Sequence, residues 1–266
     1  MSKILVTGHM GWIGSNFTKL LDSYNIPWIG IDRKAGEDLL LDIQPFLDKV
    51  IECDIVVHLA ATPRIPASWE QADYYRENNI GVTDQVARIC ADKSKYLVFA
   101  SSSSVYGNGN GPLNLYSWTK LAGEDSIKMY GRSQELQHTI ARIFTNYGED
   151  DASGLVISKW LECYRNGTPL TVRGSGNQTR DFIHINDTCS ALLAICQQRP
   201  VGKTLDIGTG LRYKLNDLAK LFNSPLLFVD ELDGYATDTQ ANITQTYLDL
   251  DWQPKINIVD WIKAQL

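Results

Sequence analysis

The chain has 266 residues, of which 44% are hydrophobic and 21% charged, and its formal net charge is −6. This is the composition of an ordinary globular protein with a sizeable apolar core. Because an acidic chain gains nothing from phosphate backbones, a nucleic-acid-binding function is not expected.

The five cysteines and four histidines argue against a disulfide-linked protein and against a metal-binding protein. The cysteine count is odd and no C-x-x-C pair occurs, so we predict free, mostly buried thiols in a reducing compartment. No histidines lie at ligand spacing, so no metal site is expected. The apolar run after Lys3 is too short for a signal peptide or a membrane span, which favours a cytoplasmic protein.

The first half of the chain alternates short β-branched runs with longer amphipathic segments. The pattern predicts strands over residues 3–7, 27–31, 54–59 and 96–101, and helices over residues 15–24, 79–93 and 117–130. Strands that alternate with helices predict crossover connections and a parallel sheet covered on both faces.

The second half has shorter elements. We predict strands over residues 169–172, 182–185 and 204–207, helices over 187–197 and 214–221, and an irregular end. Tyr247, Trp252 and Trp261 in that end are expected in the core of a small cap. No polar linker separates the two parts, so they should pack tightly.

A glycine-rich segment between the first strand and the first helix predicts a nucleotide site. Gly8, Gly11 and Gly14 allow a tight turn, a close approach to a pyrophosphate and close packing of the helix on the strand. The helix N-terminus then offers N–H groups to the phosphates. Asp32, 24 residues after Gly8, lies where a carboxylate grips the adenosine ribose and repels a 2′-phosphate. The predicted cofactor is therefore NAD, although the cationic Arg33 follows.

Tyr116 and Lys120 lie one turn apart at a predicted helix start. A tyrosine base active at neutral pH needs its pKa lowered by about 3 units, or about 4 kcal/mol. We predict that the ammonium of Lys120 and a positive nicotinamide ring stabilise the phenolate. A serine of the run 101–104, at the end of the preceding strand, is placed to bond a substrate oxygen.

Together these residues resemble the extended short-chain dehydrogenase/reductase family. Within it, the chain is similar to the NAD-dependent nucleotide-sugar epimerases and dehydratases, such as UDP-glucose 4-epimerase. Residues 7–14 resemble the family's T-G-x-x-G-x-x-G loop, and residues 58–61 resemble H-x-A-A. Residues 116–120 resemble Y-x-x-x-K, and residues 174–184 resemble G-x-G-x-Q-x-R-D-F-I-x, a signature of nucleotide-sugar members.

The resemblance implies the role of each matching residue. It makes Ser102, Tyr116 and Lys120 catalytic, and Ser102, Thr145, Asn146 and Arg180 substrate-binding, with Arg180 on the diphosphate. The implied NAD-binding residues are Gly8, Gly11, Trp12, Ile13, Gly14, Asp32, Arg33, Asp42, Ile43, Leu59, Ala60, Ala61, Asn78, Tyr116, Lys120 and Phe144.

The implied fold is α/β, a Rossmann-type doubly wound parallel sheet with a small α/β C-terminal substrate cap. We assign residues 1–147, with contributions from 178–207, to the NAD-binding domain, and residues 148–177 and 208–266 to the cap. The resemblance also implies a homodimer through the helices over 79–93 and 117–130. The small-molecule partner that the resemblance implies is a nucleotide-diphosphate sugar substrate.

The chain also departs from the family pattern. Ser103 and Ser104 replace the acidic residues that follow the catalytic residue in dehydratases and decarboxylases, so C4 epimerisation is favoured. Thr145 replaces a usual asparagine, and residues 230–242 lack a second arginine for the diphosphate. Two alternatives remain: a dehydratase or keto-sugar reductase of the same family, and a non-catalytic NAD(H)-binding protein.

Overall fold

The protein is built around a six-stranded parallel sheet, in a computed structural model that describes residues 2–151 and 154–266. Its strand order is β10-β5-β4-β3-β1-β2. The order reverses between β1 and β3, so their carboxyl ends flank a crevice of the kind that binds ligands. The strands are β1 Ile4–Thr7, β2 Trp28–Ile31, β3 Ile55–His58, β4 Tyr96–Ser102, β5 His138–Ile143, β6 Thr145–Tyr147, β7 Leu170–Arg173, β8 Thr179–Arg180, β9 Phe182–His184, β10 Lys203–Ile207, β11 Tyr213–Lys214 and β12 Leu226–Val229.

Helices cover both faces of this sheet, which confirms the predicted doubly wound α/β class. The helices are α1 Trp12–Ser23, α2 Gln44–Val50, α3 Ile65–Glu70, α4 Ala72–Tyr75, α5 Val82–Asp92, α6 Leu115–Ser133, α7 Val156–Arg165, α8 Ile185–Gln198, α9 Leu215–Lys220, α10 Thr244–Leu250 and α11 Ile258–Gln265. Successive strand residues face opposite layers, so Val6 packs with α1 and α8 whereas Leu5 packs with α2 and α5. Strands buried on both faces therefore read as continuous apolar runs.

A third hydrophobic cluster lies outside the sheet and forms the core of the smaller part. It includes Tyr147, Trp160, Leu170, Phe182 and Phe222, and α7, α9 and α11 contribute to it. The remaining strands pair as β7–β12, β8–β11 and β6–β9, and all of them except β8 contribute residues to this core. The domain boundaries remain a prediction. Tyr147 and Phe182 fall in the predicted NAD-binding part, yet their side chains pack in this cluster.

The predicted irregular end is wrong, because it contains α10 and α11. The prediction for Trp252 is also wrong. Its side chain packs in the cluster of α1, α8 and the sheet, and its Nε1 donates to Ser190 Oγ at 2.8 Å. Trp261 packs against the cap cluster as predicted, whereas Tyr247 is 42% exposed and is not a core residue.

Two helix starts differ from prediction. α1 begins at Trp12 rather than residue 15, since Gly11 caps it without any side-chain bond that a sequence pattern would show. The first residues of the predicted helix 79–93 belong to a π-helical turn, Arg76–Gly81, that leads into α5. In the described parts of the chain, no helix has the length and apolarity needed to cross a bilayer, and no three acidic, histidine or cysteine residues cluster as metal ligands would.

Candidate active site

The glycine loop joins β1 to α1 at the carboxyl edge of the sheet. Gly8 has φ +74°, and a Cβ there would lie 2.8 Å from the backbone nitrogen of Ala60. A Cβ on Gly14 would lie 2.1 Å from the carbonyl oxygen of Gly8. Gly11 leaves the N–H groups of the first turn of α1 without a side-chain cap. The loop is therefore a close-packed turn with donors at a helix N-terminus, which suits a dinucleotide pyrophosphate.

Asp32 follows β2 directly and is buried. Its two carboxylate oxygens accept the backbone N–H of Met10 at 2.9 Å and of Lys34 at 2.8 Å. A carboxylate offers about four acceptor sites, so these bonds fix its orientation and leave capacity for ribose hydroxyls. The guanidinium of Arg33 donates to the Tyr74 hydroxyl at 2.7 Å. Asp32 thus both fits the predicted ribose contact and holds the glycine loop.

Several of the other predicted cofactor residues make contacts within the fold. Asp42 is exposed, and its carboxylate accepts the N–H of Gln44 at 2.8 Å where α2 starts. The N–H of Ala60 donates to the Thr7 hydroxyl at 3.3 Å, and the Asn78 amide donates to the Thr62 hydroxyl at 3.0 Å. Leu59 and Ile43 pack against the two sheet cores, on opposite faces.

The predicted catalytic residues meet at the end of β4 and the start of α6. Ser102 is the last residue of β4, and its hydroxyl accepts the N–H of Ser104 at 3.2 Å. The Ser102 side chain lies close enough to the Tyr116 phenol to lower the pKa of that phenol. Lys120 lies one turn along α6, is only 4% exposed, and has its ammonium 4.6 Å from the ring centre of Phe99. The sequence spacing and the structure agree on this constellation.

The predicted substrate residues do not all face the same way. Arg180 in β8 donates to the carbonyl oxygens of Thr179 at 2.8 Å and Thr237 at 3.0 Å. Asn146 is buried, and its amide donates to the Phe144 carbonyl at 3.3 Å and accepts the Thr188 hydroxyl at 2.6 Å. The Asn146 side chain is therefore engaged inside the fold.

Phe144 and Thr145 are held by backbone bonds. The N–H of Phe144 donates to Ile207 O at 2.9 Å, and that of Thr145 donates to Asp181 O at 3.2 Å. These bonds place the segment after β5 between β10 and β9.

Comparison with known proteins is decisive for the family. The model of the NAD dependent epimerase/dehydratase family matches residues 4–208. The chain belongs to this family. One curated relative is described as an uncharacterized UDP-glucose epimerase, YtcB, of Bacillus subtilis. It is 29% identical to this chain, and the alignment covers 99% of this chain and 96% of the relative. A putative UDP-glucose 4-epimerase of Methanocaldococcus jannaschii is 30% identical over 98% of the chain and 96% of its own length.

Solved structures support the same assignment. UDP-glucuronic acid 4-epimerase from Bacillus cereus, in complex with UDP-glucuronic acid and NAD, superposes with a TM-score of 0.89 at 28% identity, covering 99% of this chain and 97% of that chain. MoeE5, in complex with UDP-glucose and NAD, superposes with a TM-score of 0.91 at 28% identity and the same coverage. The chain shares its α/β fold with these two solved proteins.

Burial controls the charges in the site of this epimerase/dehydratase family member. It raises the pKa of Tyr116 to about 12, and the nearby Ser102 side chain opposes that rise. It lowers the pKa of Lys120 to about 8, and the carboxylate of Glu124 opposes that fall. In the protein alone, the tyrosine pKa thus moves opposite to our prediction, because desolvation of the phenolate outweighs the attraction of any neighbouring cation.

Sequence reasoning missed a buried ion pair that supports the catalytic helix. Glu124 has no exposed surface and accepts a bidentate pair of bonds from Arg142 at 2.9 and 2.7 Å. Ser101 Oγ donates to Glu124 at 2.6 Å, and the Arg142 guanidinium lies 4.6 Å from the ring centre of Tyr106. The i,i+4 spacing of Lys120 and Glu124 in α6 could have drawn attention to Glu124, although not to its partner Arg142. The pair joins α6 to β4 and β5 beside Ser102.

Asp181 is a second missed residue. It is fully buried, and its carboxylate accepts four bonds: from the Thr209 N–H and hydroxyl at 2.8 and 2.7 Å, the Gly210 N–H at 2.8 Å and the Ala241 N–H at 3.0 Å. It holds the segment after β10 and the one before α10 against β9, whereas the neighbouring Arg180 side chain bonds to Thr179 and Thr237.

Proposed function

We propose that this chain is an NAD-dependent epimerase that inverts C4 of a nucleotide sugar. The observation that carries the proposal is the placement of three residues: Ser102 ends β4, Tyr116 lies beside it at the start of α6, and the buried Lys120 follows one helical turn later. The relatives described as UDP-glucose epimerases, and the solved 4-epimerases with NAD and UDP-sugars, support the substrate class.

The residues of the glycine loop and its surroundings fit NAD. The N-terminus of α1 and Gly11 would hold the pyrophosphate, Asp32 the adenosine ribose and Lys120 the nicotinamide ribose. Bound NAD⁺ would supply the acceptor and donor of the C4 hydride, and its positive ring would lower the pKa of Tyr116, which burial raises.

Tyr116 supplies the proton chemistry. Its phenolate removes the proton of the C4 hydroxyl as the C4–H bond breaks, and the Ser102 hydroxyl bridges the sugar oxygen and the phenol. The resulting 4-keto sugar turns within the site and presents its other face. Tyr116 then returns its proton to the oxygen as C4 regains hydride, which gives the inverted alcohol.

The absence of an acid after Ser102 favours epimerisation over elimination. Ser103 is buried, and the Ser104 hydroxyl donates to Ser102 Oγ at 2.9 Å. Neither position has a carboxylate for acid–base work on the sugar. We also propose that the cap closes over the sugar nucleotide, that the protein works in the cytoplasm, and that it forms a homodimer through α5 and α6.

A substrate panel tests the function. Purified protein is incubated with UDP-, GDP-, CDP- and dTDP-sugars, and the products are analysed by NMR. We expect the C4 epimer of one sugar without net consumption of NADH. Steady NADH consumption with a keto-sugar would identify a reductase instead, and NAD binding without binding of any nucleotide sugar would identify a non-catalytic protein.

Replacing the proposed base gives the first prediction. Tyr116→Phe should lower kcat by about 10²–10⁴-fold, the usual contribution of a positioned acid–base group, while NAD binding is retained. Turnover is measured by NMR and cofactor content by absorbance after denaturation. Tyr24→Phe, at an exposed site after α1, is the matched control and should behave as wild type. An active Tyr116→Phe enzyme would refute the assignment.

A further inference from the structure

A short segment of the cap, residues 233–239, runs between β8 and the loop before α6. We call it the strap. On one side it pairs with β8: the Thr179 N–H donates to Thr237 O at 3.0 Å, and the Thr239 N–H donates to Thr179 O at 3.2 Å. The Arg180 guanidinium also donates to Thr237 O, at 3.0 Å. The strap therefore holds the arginine that we assign to the substrate diphosphate.

Two asparagines hold the strap on its other side. Asn108 Oδ1 accepts the N–H of Thr237 at 2.8 Å and its hydroxyl at 3.1 Å, and Asn114 Nδ2 donates to Gly234 O at 2.7 Å. Gly234 has φ +83°, and a Cβ there would lie 3.2 Å from Leu113 O. The strap is thus pressed onto the loop that leads into α6.

Asn114 has a second task, because it is the N-cap of α6. Its Oδ1 accepts the N–H of Ser117 at 2.8 Å and the Ser117 hydroxyl at 2.7 Å. The residue is 5% exposed and lies two positions before Tyr116. One buried amide therefore uses its oxygen to fix the start of the catalytic helix and its nitrogen to fix the strap.

We propose that Asn114 is a positioning residue that ties the strap to the catalytic helix, so that Arg180 is held ready for the nucleotide diphosphate. The proposal rests on the proposed function for the identity of the ligand. Because the two ends of the amide serve different elements, they are separable. Loss of the nitrogen frees the strap and weakens substrate binding, whereas loss of the oxygen disturbs α6 and the alignment of Tyr116.

Asn114→Ser separates the two tasks. Serine is an equally good N-cap, but its side chain is too short to reach Gly234 O while it caps the helix. Losing one buried neutral hydrogen bond should raise KM for the nucleotide sugar by about 3–10-fold. The kcat and its pH profile should stay within about twofold of wild type, because the cap is retained.

Two further variants complete the set. Asn108→Ala removes the other two side-chain bonds to the strap and leaves the N-cap of α6 intact, so it should raise KM alone, as Asn114→Ser does. Asn114→Ala removes the bond to the strap and the two bonds from Ser117, so kcat should fall as well. Hydrogen exchange gives a readout that needs no substrate: the Thr237 amide should exchange about 3–10-fold faster in Asn114→Ser.

The outcomes decide the proposal separately from the function. Wild-type KM and wild-type strap exchange in Asn114→Ser overturn it. A fall in kcat or thermal stability with unchanged strap exchange also overturns it, since that is the signature of a cap alone. If the wild type turns over no nucleotide sugar, the proposed function fails. The exchange of Thr237 with and without uridine diphosphate then decides: diphosphate protection in wild type, reduced in Asn114→Ser, supports the proposal, and equal protection overturns it.

Discussion

Lys120 shows how single residues in this site trade stability for chemistry. Its ammonium is almost completely buried, and burial lowers its pKa from 10.5 to about 8. Each pKa unit corresponds to about 1.4 kcal/mol of preference for the neutral form, so the charged lysine is costly at neutral pH. The face of Phe99 and the carboxylate of Glu124 offset part of that cost. Strongly perturbed groups of this kind cluster at functional sites.

Lys120→Met should therefore stabilise the fold. The folded-state pKa lies below the ordinary value, so wild-type stability rises as pH increases from about 8 to 10.5. The variant should gain up to about 3 kcal/mol in the free energy of unfolding at pH 7, and this gain should vanish near pH 10.5. Urea unfolding at the two pH values measures it, with the exposed Lys263→Met as control. A variant less stable than wild type at pH 7 would contradict the argument.

At the scale of elements, the sequence predicts those features that a local residue pattern encodes. The glycines at 8, 11 and 14 predict the loop, and the i,i+4 pair Tyr116–Lys120 predicts a shared helix face. The short helices α10 and α11 escape because seven or eight residues carry too little periodicity. The Asn114–Gly234 bond joins residues far apart in the chain, and no local pattern encodes it.

The glycine loop allows a matched test. Gly14→Ala places a Cβ 2.1 Å from Gly8 O and 2.7 Å from His9 Cα, so backbone must move, and we expect a loss of about 2–4 kcal/mol in the free energy of unfolding. Gly11→Ala meets only Gly8 O at 3.2 Å with φ −74°, so it should cost less than about 1 kcal/mol. Calorimetry measures both.

Gly11→Ala, the variant expected to lose less stability, should be the one with weakened NAD binding. In the proposed complex, the methyl of Gly11→Ala would lie where the backbone approaches the pyrophosphate, so this well-folded variant should bind NAD poorly. Titration with NAD measures the affinity. Tight NAD binding by Gly11→Ala would show that the pyrophosphate is not bound as we propose.

For the whole molecule, alternating strands and helices were sufficient to predict the doubly wound sheet. The domain boundaries were harder, because Trp252 returns to the sheet core after the chain has built the cap. A packing of this kind depends on which apolar surface is left uncovered in three dimensions.

His58 is fully buried in the sheet. Its Nδ1 lies 2.7 Å from the Thr7 hydroxyl, and its Nε2 lies 3.1 Å from the Thr83 hydroxyl.

His58 should make the fold sensitive to acid. Burial, with Lys120 nearby, lowers its pKa from 6.5 to about 3, so between these values the unfolded chain binds a proton that the folded protein does not. Stability present above pH 6.5 is therefore lost as pH falls towards 3, by about 1.4 kcal/mol per pH unit in the middle of the window. His58→Gln should remove this component. Urea unfolding at pH 7, 5 and 4 measures it, and an unchanged slope would contradict the prediction.

The packing of α1 on α8 has a consequence for synthesis on the ribosome. Phe17 and Leu21, made early, find their cover only when residues 185–198 have emerged. At translation rates of about 5–20 residues per second, the growing chain carries this uncovered stripe for on the order of ten seconds. The nascent protein should therefore present this apolar stripe to ribosome-associated chaperones until α8 leaves the exit tunnel.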